Sequence, residues 1–157
     1  MKLKHFYKIN QNGRASFGSG YKIPDGFIEY SKGQEPQELL NALLIDFKKR
    51  KKQEIESAYN QAIQEPIAYN VGGSDYIFQS DEKSQDILSK VIVSAPAGFE
   101  TDWLDIDNNP VHVTLDDLKG LAQAILTRGQ QLFAKKVQLK QQVDACTTKE
   151  EVEAIRW

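Results

Sequence analysis

The sequence predicts an α+β protein: two β-hairpin-plus-helix units forming a small antiparallel sheet, with two long helices and an N-terminal β segment. Three observations predict it. Apolar residues recur at helical spacing over about thirty residues in each of two places. Short aromatic and β-branched runs, bounded by Gly, Asn, Asp and Pro, fill the stretches between. A hairpin followed by a capped helix occurs twice, about 35 residues apart, whereas a solenoid needs at least three such units.

Residues 1–34 read as the β segment. Leu3 to Ile9 is aromatic and ends β-branched, and Asn10-Gln11-Asn12-Gly13 supplies a turn. Ala15 to Gly20 is small and glycine-spaced, a weak strand at best. After the Pro24-Asp25-Gly26 turn, Phe27 to Tyr30 forms a short apolar strand. Lys2, Lys4, Lys8, Arg14 and Lys22 outnumber Asp25 and Glu29 in residues 1–30, so this segment is locally basic.

The body runs over 35–157. Pro36 suits a first helical turn, and the first long helix is expected over about 36–64. Its stripe is Leu39, Leu40, Leu43, Leu44 and Phe47, resumed by Ile55, Tyr59, Ala62 and Ile63 before Pro66 ends it. Ile67–Val71, a Gly72-Gly73-Ser74 turn and Tyr76–Phe78 form one hairpin, with Ser80 expected to cap the next helix. Trp103–Ile106, an Asp107–Pro110 turn and Val111–Val113 form the other, with Thr114 as cap and Asp117 as its capping-box acid. The four strands are expected to share one sheet. A second long helix follows over about 115–144, with Gly129 weakening it by about 1 kcal/mol relative to alanine. A capping box beginning at Thr147 announces a last short helix.

Composition excludes several classes. The chain has 157 residues, 40% of them hydrophobic, and 15 aromatics, which suits a folded domain and argues against disorder. No apolar run approaches the roughly 18 residues of a membrane helix, and no hydrophobic segment follows the N-terminal lysines, so neither a span nor a signal peptide is expected. The lone Cys146 points to a reducing compartment. A net charge of −2 predicts neither a nucleic-acid nor a membrane partner.

Candidate chemistry is sparse. His5 and His112 each stand alone in strand-like context, and Cys146 has no nearby histidine. Asp105-Ile106-Asp107-Asn108-Asn109 resembles the start of a calcium loop, but the sixth position holds Pro110 and the twelfth Asp116, so an Asx-rich turn is the better reading. Lys48 to Lys52 sweep more than a helical turn, so they form no single basic face and suit a solvated crossing. Residues 75–107 carry eight acids and two lysines, and a basic collar with an acidic body suits self-association or a charged partner better than DNA. No catalytic residue, metal site or cofactor is expected.

From about Lys51 to Trp157 the chain resembles an uncharacterised domain of bacteriophage and prophage tail proteins, often encoded beside tail-fibre genes. The residues that carry the likeness are Tyr69, Trp103, the Val113-Thr114-Leu115 helix entry and the ending Ala145 to Ile155. Separately, Phe6 to Ile9 through Ile23 to Tyr30 looks like the start of tail-fibre assembly proteins. The resemblance implies a tail-fibre assembly factor or chaperone in the host cytoplasm, with a tail-fibre protein as partner and no enzymatic activity. The alternative it allows is a structural virion subunit of the fibre or baseplate. A second copy of the chain is the other candidate partner. The first helix looks too long for its domain, so Leu39, Leu40, Leu43, Leu44 and Phe47 are expected to be the partner-binding residues. Residues 1–47 are then a binding module, and the body from Glu54 onward folds without it.

Overall fold

A computed structural model describes residues 2–157. In chain order the elements are β1 (Lys4–Ile9), β2 (Ala15–Gly20), β3 (Ile28–Tyr30), α1 (Gln37–Ala62), β4 (Ile67–Val71), β5 (Ser74–Phe78), α2 (Glu82–Ser94), β6 (Glu100–Leu104), β7 (Pro110–Thr114), α3 (Leu115–Ala145) and α4 (Lys149–Ala154). The α+β class and both long helices are as the sequence predicts. None of the described helices is long and apolar enough to cross a membrane. The chain divides into two compact units, residues 1–55 with 139–157, and residues 56–138, so the division runs through both long helices.

In the first unit β1 is the central strand of an antiparallel sheet in the order β2-β1-β3. Asn10 builds the first turn: its carboxamide oxygen accepts from the N–H groups of Asn12 and Arg14 at 3.0 Å each. β2 is a full six-residue strand despite its low propensity. A Cβ at Gly18 would stand 3.1 Å from the Phe6 ring, so the small residues that make β2 look weak are what let an aromatic lie across it. On the other face Tyr7 is buried, and its hydroxyl donates to Glu38 on α1. The anionic acceptor raises the Tyr7 pKa.

The lysine run, expected to be a solvated crossing, has a structural role. α3 ends without a basic residue in its last turn. Lys48 Nζ donates to the Asp144 carbonyl at 2.8 Å, and Lys52 pairs with the Asp144 carboxylate. Cations from α1 therefore neutralise the negative end of the α3 dipole. Lys51, its side chain largely buried, pairs with Glu54 at 2.7 Å. The capping box of α4 begins one residue later than predicted: Thr148 is the cap and Glu151 its reciprocal partner. Thr147 has no cap role and instead donates its N–H to the Glu151 carboxylate.

In the second unit both predicted hairpins are present, with Tyr69 opposite Tyr76 and Trp103 opposite Val111; the second is shifted, its first strand running Glu100–Leu104 and its return strand starting at Pro110. The single four-stranded sheet is corrected. Each hairpin keeps its own ladder, and the backbone link between them is one bond from Ile106 N–H to the Ile77 carbonyl, 2.8 Å. The core gathers Val71, Phe78, Leu88, Val113, Leu118 and Leu121, with Trp103 partly buried against it. Thr114 and Asp117 cap α3 reciprocally, as predicted. Ser80 does not cap α2. Asp81 does, accepting from Ser84 N–H at 3.1 Å.

Ser80 is instead buried and hydrogen-bonded in two directions. Its hydroxyl donates to the Glu65 carbonyl at 2.5 Å and accepts from Arg128 Nη2 at 2.7 Å. The Arg128 guanidinium also donates to the carbonyls of Pro66 (3.1 Å) and Ile63 (3.3 Å). One arginine on α3 thus ties the unsatisfied carbonyls after α1 to the entry of α2.

Candidate partner-binding surface

The predicted stripe on α1 is largely covered by its own chain. Leu39 is fully buried, which corrects its assignment to a partner. Leu43, Leu44 and Phe47 are half-buried, and Arg50 and Lys149 both lie over the Phe47 ring, at 4.7 and 4.8 Å from its centroid. Leu40 alone of the five is exposed, at 44%. The stripe is therefore mostly withdrawn from solvent, and at its Phe47 end Lys149 of the same unit lies over the ring.

A different apolar surface stands open in the second unit. A groove of about 550 Å³ has walls from the end of α1 (Tyr59, Ile63) and from α2 (Gln85, Leu88, Ser89). Its floor is the middle of α3, including Leu126, Gly129 and Phe133. Leu126 and Phe133 remain 54% and 53% exposed. Tyr59 packs edge-on against Phe133, and Lys136 lies 3.8 Å from the Tyr59 centroid while pairing with Glu56 at 3.1 Å. No residue lining the groove carries a formal charge; Gln85, Ser89 and Gln130 supply its polar points. Gly129 leaves open space, since nothing lies within 4 Å of where its Cβ would be. Volume, apolar lining and a few polar groups are general attributes of concave binding sites.

The groove has no local signature in the sequence, because its residues come from three helices and one of its floor positions is a glycine. Gly129 reads as a helix weakness, whereas in the fold it sits in the floor of a concavity.

The groups considered for chemistry stay apart. His5 Nδ1 lies 2.8 Å from Ser19 Oγ in the first unit. His112 lies between Glu100 (3.3 Å) and Asp102 (3.4 Å) on the exposed face of the second hairpin. Among the described residues no three His, Cys, Asp or Glu side chains converge as a metal site. Asp105 directs its carboxylate at its own turn, accepting from Asn109 N–H (2.8 Å) and Asp107 N–H (2.9 Å), and these donors lower its pKa. Cys146 Sγ lies 3.2 Å from the Gln142 carbonyl one helical turn back.

Residues 46–156 match the family model described as Domain of unknown function (DUF4376). The chain belongs to this family. The match begins within α1 and contains the whole second unit with its groove, whereas β1–β3 and Leu39 to Leu44 lie before it. No curated protein and no solved structure matches the chain.

Proposed function

We propose that the chain is a non-enzymatic protein-binding module that serves as a bacteriophage tail-fibre assembly factor or chaperone in the host cytoplasm. The observation that carries the binding reading is the uncharged groove between α1, α2 and α3, with Leu126 and Phe133 exposed on its floor. Exposed apolar side chains in a concavity are an energetic cost to an isolated chain, offset when a partner removes them from water. An apolar segment of a fibre subunit is the occupant this reading assigns. The fibre enters through the sequence resemblance of residues 51–157 and of the N-terminal segment. Leu40 and the half-buried Leu43, Leu44 and Phe47 are a secondary contact at most.

The test is co-expression of the full chain with a tail-fibre protein, comparing wild type with Leu126→Glu and Phe133→Glu. Both positions are half exposed, so the charge reaches solvent in the free chain but enters the interface in a complex. Co-purification that is lost in both variants supports the reading, and retention in both contradicts it. A structural virion subunit is the second reading; mass spectrometry of purified particles separates the two, since a permanent subunit is abundant there and a chaperone is absent.

A further inference from the structure

The open edge of the N-terminal sheet carries an inference independent of the fibre reading. A β-sheet edge is a row of unpaired N–H and C=O groups, and folded proteins usually blunt it with charge, proline, a bulge or brevity. The β3 edge is blunted: it is three residues long and carries Glu29, paired with Lys4 at 3.1 Å. The β2 edge is not. Its six residues, Ala-Ser-Phe-Gly-Ser-Gly, include no charge and no proline, and its register with β1 runs unbroken from Ala15 to Gly20.

The bond from Asn10 N–H to the Arg14 carbonyl, 2.9 Å, sets which groups face outward. Antiparallel pairs alternate between bonded and non-bonded, so Ser16, Gly18 and Gly20 bond to β1. Ala15, Phe17 and Ser19 then turn their N–H and C=O groups to the open edge. Phe17, at the centre of this trio, is 59% exposed although it stands directly opposite the buried Tyr7.

We propose that β2 pairs antiparallel with β2 of a second copy, on a two-fold axis perpendicular to the sheet and midway between the two Phe17 residues. Only residues of like parity can pair across such an axis, because the side chains of both copies must keep their faces. The register centred on Phe17 meets that condition. It places Phe17 against Phe17 of the second copy and Ala15 against Ser19, so every outward N–H and C=O of the three residues finds a partner. A cross-strand aromatic pair forms at the centre, and no charge on β2 opposes it. The chain therefore supplies its own complementary strand, which argues for a second copy over a foreign one.

Sedimentation velocity on the full chain across a concentration series tests this. The expected result is a monomer–dimer equilibrium, at least tenfold weaker in Phe17→Lys and in Phe17→Pro, with the melting temperature of Phe17→Lys unchanged. Phe17→Pro removes an outward N–H and leaves the β1 ladder intact; if it unfolds the sheet, Phe17→Lys still decides. Amide exchange at Ala15, Phe17 and Ser19 is expected to slow as concentration rises. A chain that stays monomeric throughout, captures a foreign strand instead, or dimerises undiminished in Phe17→Lys overturns the proposal.

Discussion

The Tyr69 hydroxyl occupies the space where a Cβ on residue 120 would stand, and the ring carbon that bears it would lie 2.9 Å from that Cβ. The first hairpin therefore packs onto α3 at a glycine, a close approach that any larger residue closes off. Gly120 and Gly129, nine positions apart on one helix, serve opposite ends: the first receives a side chain, and the second has nothing within 4 Å.

Alanine at the two positions should act with opposite sign. Gly129→Ala removes a helix-interior glycine from open space and should stabilise by up to about 1 kcal/mol. Gly120→Ala gains the same propensity but displaces Tyr69, so a net loss of about 1–2 kcal/mol is expected, as for other overpacked sites. Tyr69→Phe should recover part of that loss. Chemical denaturation of the three variants and the Gly120/Tyr69 double variant checks it, and equal effects at both glycines contradict it.

Arg128 should matter more than its half-buried position suggests. Removing its guanidinium deprives Ser80 Oγ and the Ile63 and Pro66 carbonyls of one donor. Hydrogen bonds to a charged group contribute about 1.5–3 kcal/mol, so Arg128→Ala should destabilise by about 2–4 kcal/mol. Arg128→Lys should rescue little, because a single ammonium cannot reproduce the fork. Ser80→Ala should cost about 1–3 kcal/mol and be non-additive with Arg128→Ala. Additive losses in the double-mutant cycle refute the shared network.

Acid sensitivity follows from the caps. The Thr114 hydroxyl and N–H hold the Asp117 carboxyl below its usual pKa, the Ser84 hydroxyl and N–H lower Asp81, and the Thr147 and Thr148 N–H groups lower Glu151. A carboxylate whose folded pKa is depressed contributes stability in full above its unfolded pKa and loses it as pH falls through the folded value. Melting temperature should therefore decline as pH drops below about 4. Asp117→Asn should lower it at neutral pH and flatten the decline. An unaltered acid limb in that variant removes Asp117 from the account.

The sequence made the elements legible more readily than their joints. Periodic stripes located α1 and α3, and the turns at Asn10–Gly13 and Gly72–Gly73 located two hairpins, because these signals are local. Ser80 looks like the cap of α2 because serine and aspartate both cap helices, and only the distant Arg128 and Glu65 show that its hydroxyl is claimed elsewhere while Asp81 caps. The Leu39 stripe has the look of an interface in sequence, since helical periodicity marks an apolar face without showing what covers it, and in the fold Leu39 is fully buried. The groove was least legible, since three helices build it and its central clue, Gly129, carries no side chain.

Photo-crosslinking from position 126 tests the central claim most directly. The full chain carrying a benzophenone amino acid in place of Leu126 is expressed with a tail-fibre protein, and the adducts are sequenced. The account predicts one dominant adduct to an apolar segment of the fibre protein, competed away by unlabelled wild-type chain. Absence of a fibre adduct from position 126, with efficient crosslinking from Leu40 on α1, would contradict it.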